Sequence, residues 1–293
     1  MTPAYLTSVE GNRQLLDGGS MFGNAPRPVW EKWIKPDAIG RIPLACRCLL
    51  IEFDGLKVLC ETGIGAFFEP KMADRFGVQT SDRHLLLENL KAAGHSAESI
   101  THVILSHLHF DHAGGLLPTY TEIAKGNEEL VFPNAQFIVG EDAWQRALNP
   151  HSRDRASFIP GLTEKLEKSG RLVRLGHDPL PPELKGRFEF VRSDGHTPGQ
   201  MHTLFTGSKE KVFFCGDLIP GRAWVHVPIT MGYDRFPEKV IDEKTEVYKR
   251  AVDEDWILFF THDAEVSAAH TEKSASGKFE PVRPEVAFTH YAI

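Results

Sequence analysis

The segment 106–115 reads SHLHFDHAGG and packs His107, His109, Asp111 and His112 into six consecutive positions. Neutral imidazole and carboxylate are the nitrogen and oxygen donors that zinc takes, and a catalytic zinc keeps one position open for water. Burying so many ionisable groups without a metal or charged partners is costly, so the spacing predicts ligands rather than a row of structural histidines. Residues i and i+2 of an extended segment point to one side, so His107 and His109 are expected to converge on one atom. Asp111 and His112 fall in the turn that follows and can aim elsewhere, which suggests two neighbouring ions.

Something must hold that loop. The run Val103, Ile104, Leu105 directly before it is apolar and lacks helical periodicity, which predicts a short buried strand ending where the cluster begins. Three later apolar runs end on polar residues in the same way. FVRSDGHTPG places His196 just past a strand, KVFFCGD places Asp217, and WILFFTHD places His262. Strand ends gathered on one edge are where separate segments meet, so these three are expected to complete the site.

Stepping along the chain, 46–53 and 56–61 predict a hairpin around the Asp54-Gly55 turn. A helix is expected at 82–93, capped by Ser81 and ended by Gly94, and further helices at 141–148, 161–169 and 237–253, the last starting at Pro237. Strands are expected at 135–140, 187–193, 202–207 and 211–216, with 256–260 as the last. No linker or repeat interrupts the pattern. It predicts an α/β fold in which residues 1–293 form a single domain of two strand-rich sheets covered outside by helices.

Composition bounds the function. With 41% hydrophobic and 25% charged residues the chain is an ordinary globular protein with enough apolar material for a large core. A net charge of -7 opposes binding to nucleic acid. No apolar run approaches a membrane span and the N-terminus lacks a secretory pattern, so a cytoplasmic protein acting on a small molecule is expected. Cys46, Cys48, Cys60 and Cys215 all lie in apolar runs and read as buried free thiols.

HLHFDH, GHTPG, the GD after an apolar strand and the final FFTHD together resemble the ordered motifs of the metallo-β-lactamase superfamily, from about residue 46 to 265. The resemblance implies an αββα sandwich of two mixed β-sheets with the site at one edge. It implies two divalent metal ions, with zinc expected: one held by His107, His109 and His196, the other by Asp111, His112 and His262, with Asp217 bridging. The chemistry implied is hydrolysis by direct attack of hydroxide, without a serine or cysteine nucleophile. SHLHFDHAGG is closest to the motif of the N-acyl homoserine lactone lactonases, and the broader pattern is similar to the methyl parathion hydrolases. Asp217, rather than Cys215, stands in register with the ligand position, which separates the chain from true β-lactamases.

The expected reaction is therefore cleavage of a small ester or lactone, with a phosphoesterase or phosphotriesterase as the alternative and a mononuclear persulfide dioxygenase as a third reading. Two residues depart from the lactonase pattern. Pro220 stands where those enzymes carry a tyrosine, and Glu61 replaces the aspartate of the usual Asp-Thr-Gly. A donor to the substrate is expected instead from Tyr233 or His226, with Asp234 holding the tyrosine's loop. Met21, Phe22, Trp224 and Met231 are candidates for an apolar entrance, or else for packing or the contact of a homodimer.

Overall fold

A computed structural model describes residues 2–293. Two sheets face one another. The first has seven strands in the spatial order Tyr291–Ala292, Ala4–Glu10, Arg47–Phe53, Leu56–Cys60, His102–Leu105, Gln136–Gly140 and Leu172–Leu175. Its four strands from Leu56–Cys60 onwards run parallel, and the others pair antiparallel. The second has six, in the order Phe279–Glu285, Ala268–Lys273, Ile257–Phe259, Lys211–Phe214, Gln200–Thr206 and Phe188–Ser193. A two-stranded ribbon pairs Gln14–Asp17 with Arg41–Leu44.

The two-residue periodicity of a strand sorts the side chains into layers. Val103 and Leu105 point outward and pack with Leu86, Leu90, Trp144 and Leu166 from the helices Leu85–Ala92, Glu141–Leu148 and Leu162–Lys168. Ile104, between them in sequence, points inward and meets Phe205, Val212, Phe214 and Phe259 between the sheets. On the second sheet Phe213 and Leu258 face outward onto Val240, Val247, Tyr248 and Ala251 of the helix Pro237–Asp253. The layers are thus helix, sheet, sheet, helix, as the resemblance implied.

Most expected elements form within two residues of their predicted bounds, and Asp54 and Gly55 both take positive φ in the hairpin turn. Three expectations need correction. The helix expected at 82–93 begins at Leu85, because His84 rather than Ser81 accepts the Leu87 amide and Asn12 Oδ1 accepts the Leu85 amide. The strand at 256–260 is not the last, since the strands Ala268–Lys273, Phe279–Glu285 and Tyr291–Ala292 follow it. The opening strand Ala4–Glu10, which pairs along its whole length with Arg47–Phe53, was not anticipated either. Among the described residues no helix is long and apolar enough to cross a membrane. The four cysteines are buried free thiols.

Candidate metal centre and active site

The strand His102–Leu105 ends at Ser106, and His107 and His109 follow in the loop before a one-turn helix, Phe110–Ala113, that carries Asp111 and His112. Gly114 and Gly115 let this turn lie flat against the neighbouring loop. A Cβ on Gly115 would stand 2.0 Å from the carbonyl oxygen of Thr62. From the other sheet come His196, after Phe188–Ser193, Asp217, after Lys211–Phe214, and His262, after Ile257–Phe259. Gly216 takes a φ of +48, which aims Asp217 back over the strand ends. All seven residues expected to ligate metal therefore meet at one edge of the sandwich.

They meet in two overlapping sets. In the first, His107 Nε2 lies 2.9 Å from His109 Nδ1, and His196 Nε2 lies 3.3 Å from that same atom and 3.1 Å from Asp217 Oδ2. In the second, His112 Nε2 and His262 Nε2 are 3.3 Å apart, with Asp111 Oδ1 3.7 Å from the former and Asp111 Oδ2 3.6 Å from the latter. Asp217 joins the two, its Oδ1 standing 3.3 Å from His112 Nε2 and 3.1 Å from His262 Nε2.

Outer partners fix which nitrogen of each ring carries hydrogen. The Ala45 carbonyl oxygen lies 2.7 Å from His262 Nδ1 and can only accept, so His262 presents an Nε2 lone pair inward. Glu61 Oε2, 2.7 Å from His112 Nδ1, imposes the same tautomer there. Asp234 Oδ1 does so for His196 at 2.9 Å. Ser106 Oγ donates to Glu61 and so accepts from His107 Nδ1 at 2.8 Å. Four imidazole Nε2 atoms and the carboxylates of Asp111 and Asp217 are therefore turned toward one shared space. His109 Nε2 and Asp217 Oδ1 are buried and unpartnered. Acceptors this close are stable when a cation lies between them, and the donor set of imidazole nitrogen with carboxylate oxygen fits zinc.

Charge reflects the same crowding. Burial, with the neighbouring imidazoles, holds His107 and His109 well below the ordinary histidine range. Burial also opposes charge on His112, but Glu61, Asp217 and Asp111 overcome it and raise this histidine well above that range. His262 is raised in the same way, chiefly by Asp217. Asp217 is held well below the usual carboxylate range, its burial outweighed by His112, His196 and His262.

A cavity of about 370 Å³ opens onto this edge. Leu16, Met21, Leu44, Phe76, Phe110 and Met231 supply apolar wall, while His109, Asp111, His196, Asp217 and His262 form the polar floor. Tyr233 lines it too. His226 does not: it stacks on Trp33 and lines a separate cavity with Val227 and Pro228, which removes it as a donor here. Phe22 and Trp224 are also away from the wall, stacked on one another at 4.6 Å in a buried aromatic cluster with Trp30. Pro220 is buried behind the site, where its carbonyl accepts the His262 amide.

Three supporting residues escaped sequence reasoning in part or in full. Gln14 Nε2 donates to Asp111 Oδ2 at 3.0 Å from the small ribbon, and nothing in its local sequence marks it. Asp234 was expected to hold a loop. It does accept the Met231 amide at 2.7 Å, but its other oxygen orients His196. Glu61 reaches both His112 and Ser106 from a backbone with φ of +62, an uncommon conformation for a non-glycine residue, of the kind that concentrates at functional sites.

The sequence profile of the metallo-beta-lactamase superfamily matches residues 41–262, which span every one of these ligands. The chain belongs to the metallo-β-lactamase superfamily. It is 24% identical over 294 residues to an N-acyl homoserine lactonase of Bacillus thuringiensis, covering 90% of this chain and 95% of that one. Among solved structures it is similar to a protein described as a probable metal-dependent hydrolase from Staphylococcus aureus, at a TM-score of 0.83 and 23% identity over 97% of this chain and 96% of that one. A dizinc quorum-quenching lactonase, solved with its product, gives a TM-score of 0.72 at 23% identity, covering 95% of this chain and 94% of that one. These likenesses establish the fold. Together with the family they make this chain a metal-dependent hydrolase.

Proposed function

We propose that the protein is a dinuclear metallohydrolase that opens a small ester or lactone, with zinc the expected ion. The observation that carries this reading is the inward-facing set of acceptors, divided in two and joined by Asp217. His107, His109 and His196 would hold one ion, Asp111, His112 and His262 the other, and Asp217 would touch both. Two divalent cations bound there supply a water of near-neutral pKa and positive charge beside the oxyanion. The reaction forms a bond from the water oxygen to the acyl carbon and breaks the acyl–oxygen bond, with one proton passing to the leaving alkoxide.

The chain's own groups do the rest. Asp111 faces the cavity with its side chain 14% exposed, and is placed to carry that proton from water to leaving oxygen. Tyr233 lines the cavity, and its phenol, protonated at neutral pH, can donate to the developing oxyanion. The tyrosine thereby substitutes for the one that Pro220 displaces. The apolar wall seats an acyl chain or ring and keeps bulk water from the floor. N-acyl homoserine lactones are the first substrates to try, because the relatives that cover most of this chain are named for them.

The test is turnover of an acyl homoserine lactone, an aryl ester and an aryl phosphotriester by the zinc-loaded enzyme and by Tyr233→Phe. Carboxylic ester or lactone cleavage that falls roughly 100-fold in kcat in the variant is expected, the usual cost of one oxyanion donor. Turnover of the phosphotriester alone would transfer the protein to the phosphotriesterase reading.

A further inference from the structure

Two arginines, Arg153 and Arg235, line the active cavity. Two arginines, Arg146 and Arg235, approach one carboxylate, that of Asp154. Asp154 Oδ2 accepts from Arg146 Nε at 3.0 Å and from Arg146 Nη2 at 2.5 Å, while its Oδ1 is buried without a partner among the described residues. Arg235 approaches the same oxygen no nearer than 4.0 Å, outside hydrogen-bond reach. Its Nη2 stands 3.4 Å from His151 Nδ1, and its Nε and Nη1 have no partner among the described residues, although the side chain is only 12% exposed. The donors of a buried guanidinium are as a rule paired. Those of Arg235 are not all paired. Arg153 stands beside it, exposed, bridging to the Gly232 carbonyl at 2.8 Å, and both arginines line the cavity whose floor is the metal centre.

We propose that Arg235, with Arg153 at the rim, receives an anionic group of the substrate, so that the preferred ester or lactone carries a carboxylate remote from its scissile carbonyl. The proposal rests on the hydrolase reading for the reaction and on the arginines for the substrate class. A desolvated guanidinium without a full set of partners gains more from a carboxylate than from water. The remaining wall is apolar and would seat the chain that joins the two ends.

The experiment compares an aryl acetate with the aryl hemisuccinate, which differs by a terminal carboxylate, on zinc-loaded wild type, Arg235→Gln, Arg235→Lys and Arg153→Gln, with metal content measured in each. For the hemisuccinate, KM should rise roughly 10- to 100-fold in Arg235→Gln, the worth of a hydrogen bond to a charged group. The rise should be partly restored in Arg235→Lys and smaller in Arg153→Gln, while the acetate's constants stay unchanged. A parallel measurement needs no turnover: succinate should raise the melting temperature of the zinc-loaded wild type and not that of Arg235→Gln. Equal losses for the two esters would overturn the proposal, because they would mark Arg235 as a structural partner of Asp154. So would succinate stabilisation that ignores the substitution. Arg235-dependent succinate binding without ester turnover would leave the anion site standing and reject the hydrolytic reading instead.

Discussion

At the scale of single residues, the tautomers matter more than the number of histidines. For His107, His112, His196 and His262 an outer acceptor claims the Nδ1 hydrogen and leaves Nε2 to face inward, and Asp234 does this for His196 from 38 positions away. Replacing Asp234 with Asn keeps the shape and lets the amide offer an N–H where a carboxylate accepted. Zinc affinity should fall about 10- to 100-fold, read by competition with a chelating dye. Affinity should also rise with pH in both proteins. His112 and His262 hold protons above their ordinary range in the metal-free state, because carboxylates outweigh burial there, and zinc must displace those protons. Affinity that is flat with pH, or unchanged in the variant, would contradict the tautomer assignment. The meeting of the seven candidate ligands was legible in the sequence because each sits at the end of an apolar strand or within a few residues of another candidate. Gln14 was not, since the 97 positions between it and Asp111 are spanned by the fold alone.

At the scale of elements, the site depends on how tightly the loop after His102–Leu105 lies against the loop after Leu56–Cys60. Gly115 N donates to the Gly63 carbonyl at 2.9 Å and Thr62 N donates to the His112 carbonyl at 2.9 Å, so the two loops are laced through their backbones. Gly115→Ala forces a Cβ against the Thr62 carbonyl and should destabilise the metal-loaded protein by about 1–3 kcal/mol in chemical denaturation, with zinc affinity falling as His112 shifts. A neutral result would mean that the loops have slack. Helices and strands with clear periodicity, such as Pro237–Asp253, were readable locally. The helix start at Leu85 was not, because its cap comes from His84 and from Asn12, 73 residues distant. The closing strands were missed for a related reason: Phe279–Glu285 is largely exposed at a sheet edge and has no apolar alternation to announce it.

At the scale of the whole molecule, the two sheets contribute different halves of one centre. The first brings His107, His109, Asp111 and His112 and the second brings His196, Asp217 and His262, so the sandwich must close before the seven candidate ligands meet. Bound metal should accordingly stabilise the native state by mass action, since the unfolded chain offers no such arrangement. His270 is a useful control. It lies in the strand Ala268–Lys273, bonded to Asp255 at 3.0 Å, and takes no part in either ligand set. The central claim is that two cations are held and joined by Asp217, and the direct measurement is elemental analysis of the purified chain with calorimetric titration of the chelated protein by zinc. Two equivalents per chain are predicted for the wild type and for His270→Ala, with saturation lost or reduced to one weak site in Asp217→Ala. A single equivalent in the wild type, or one iron and no zinc, would contradict it.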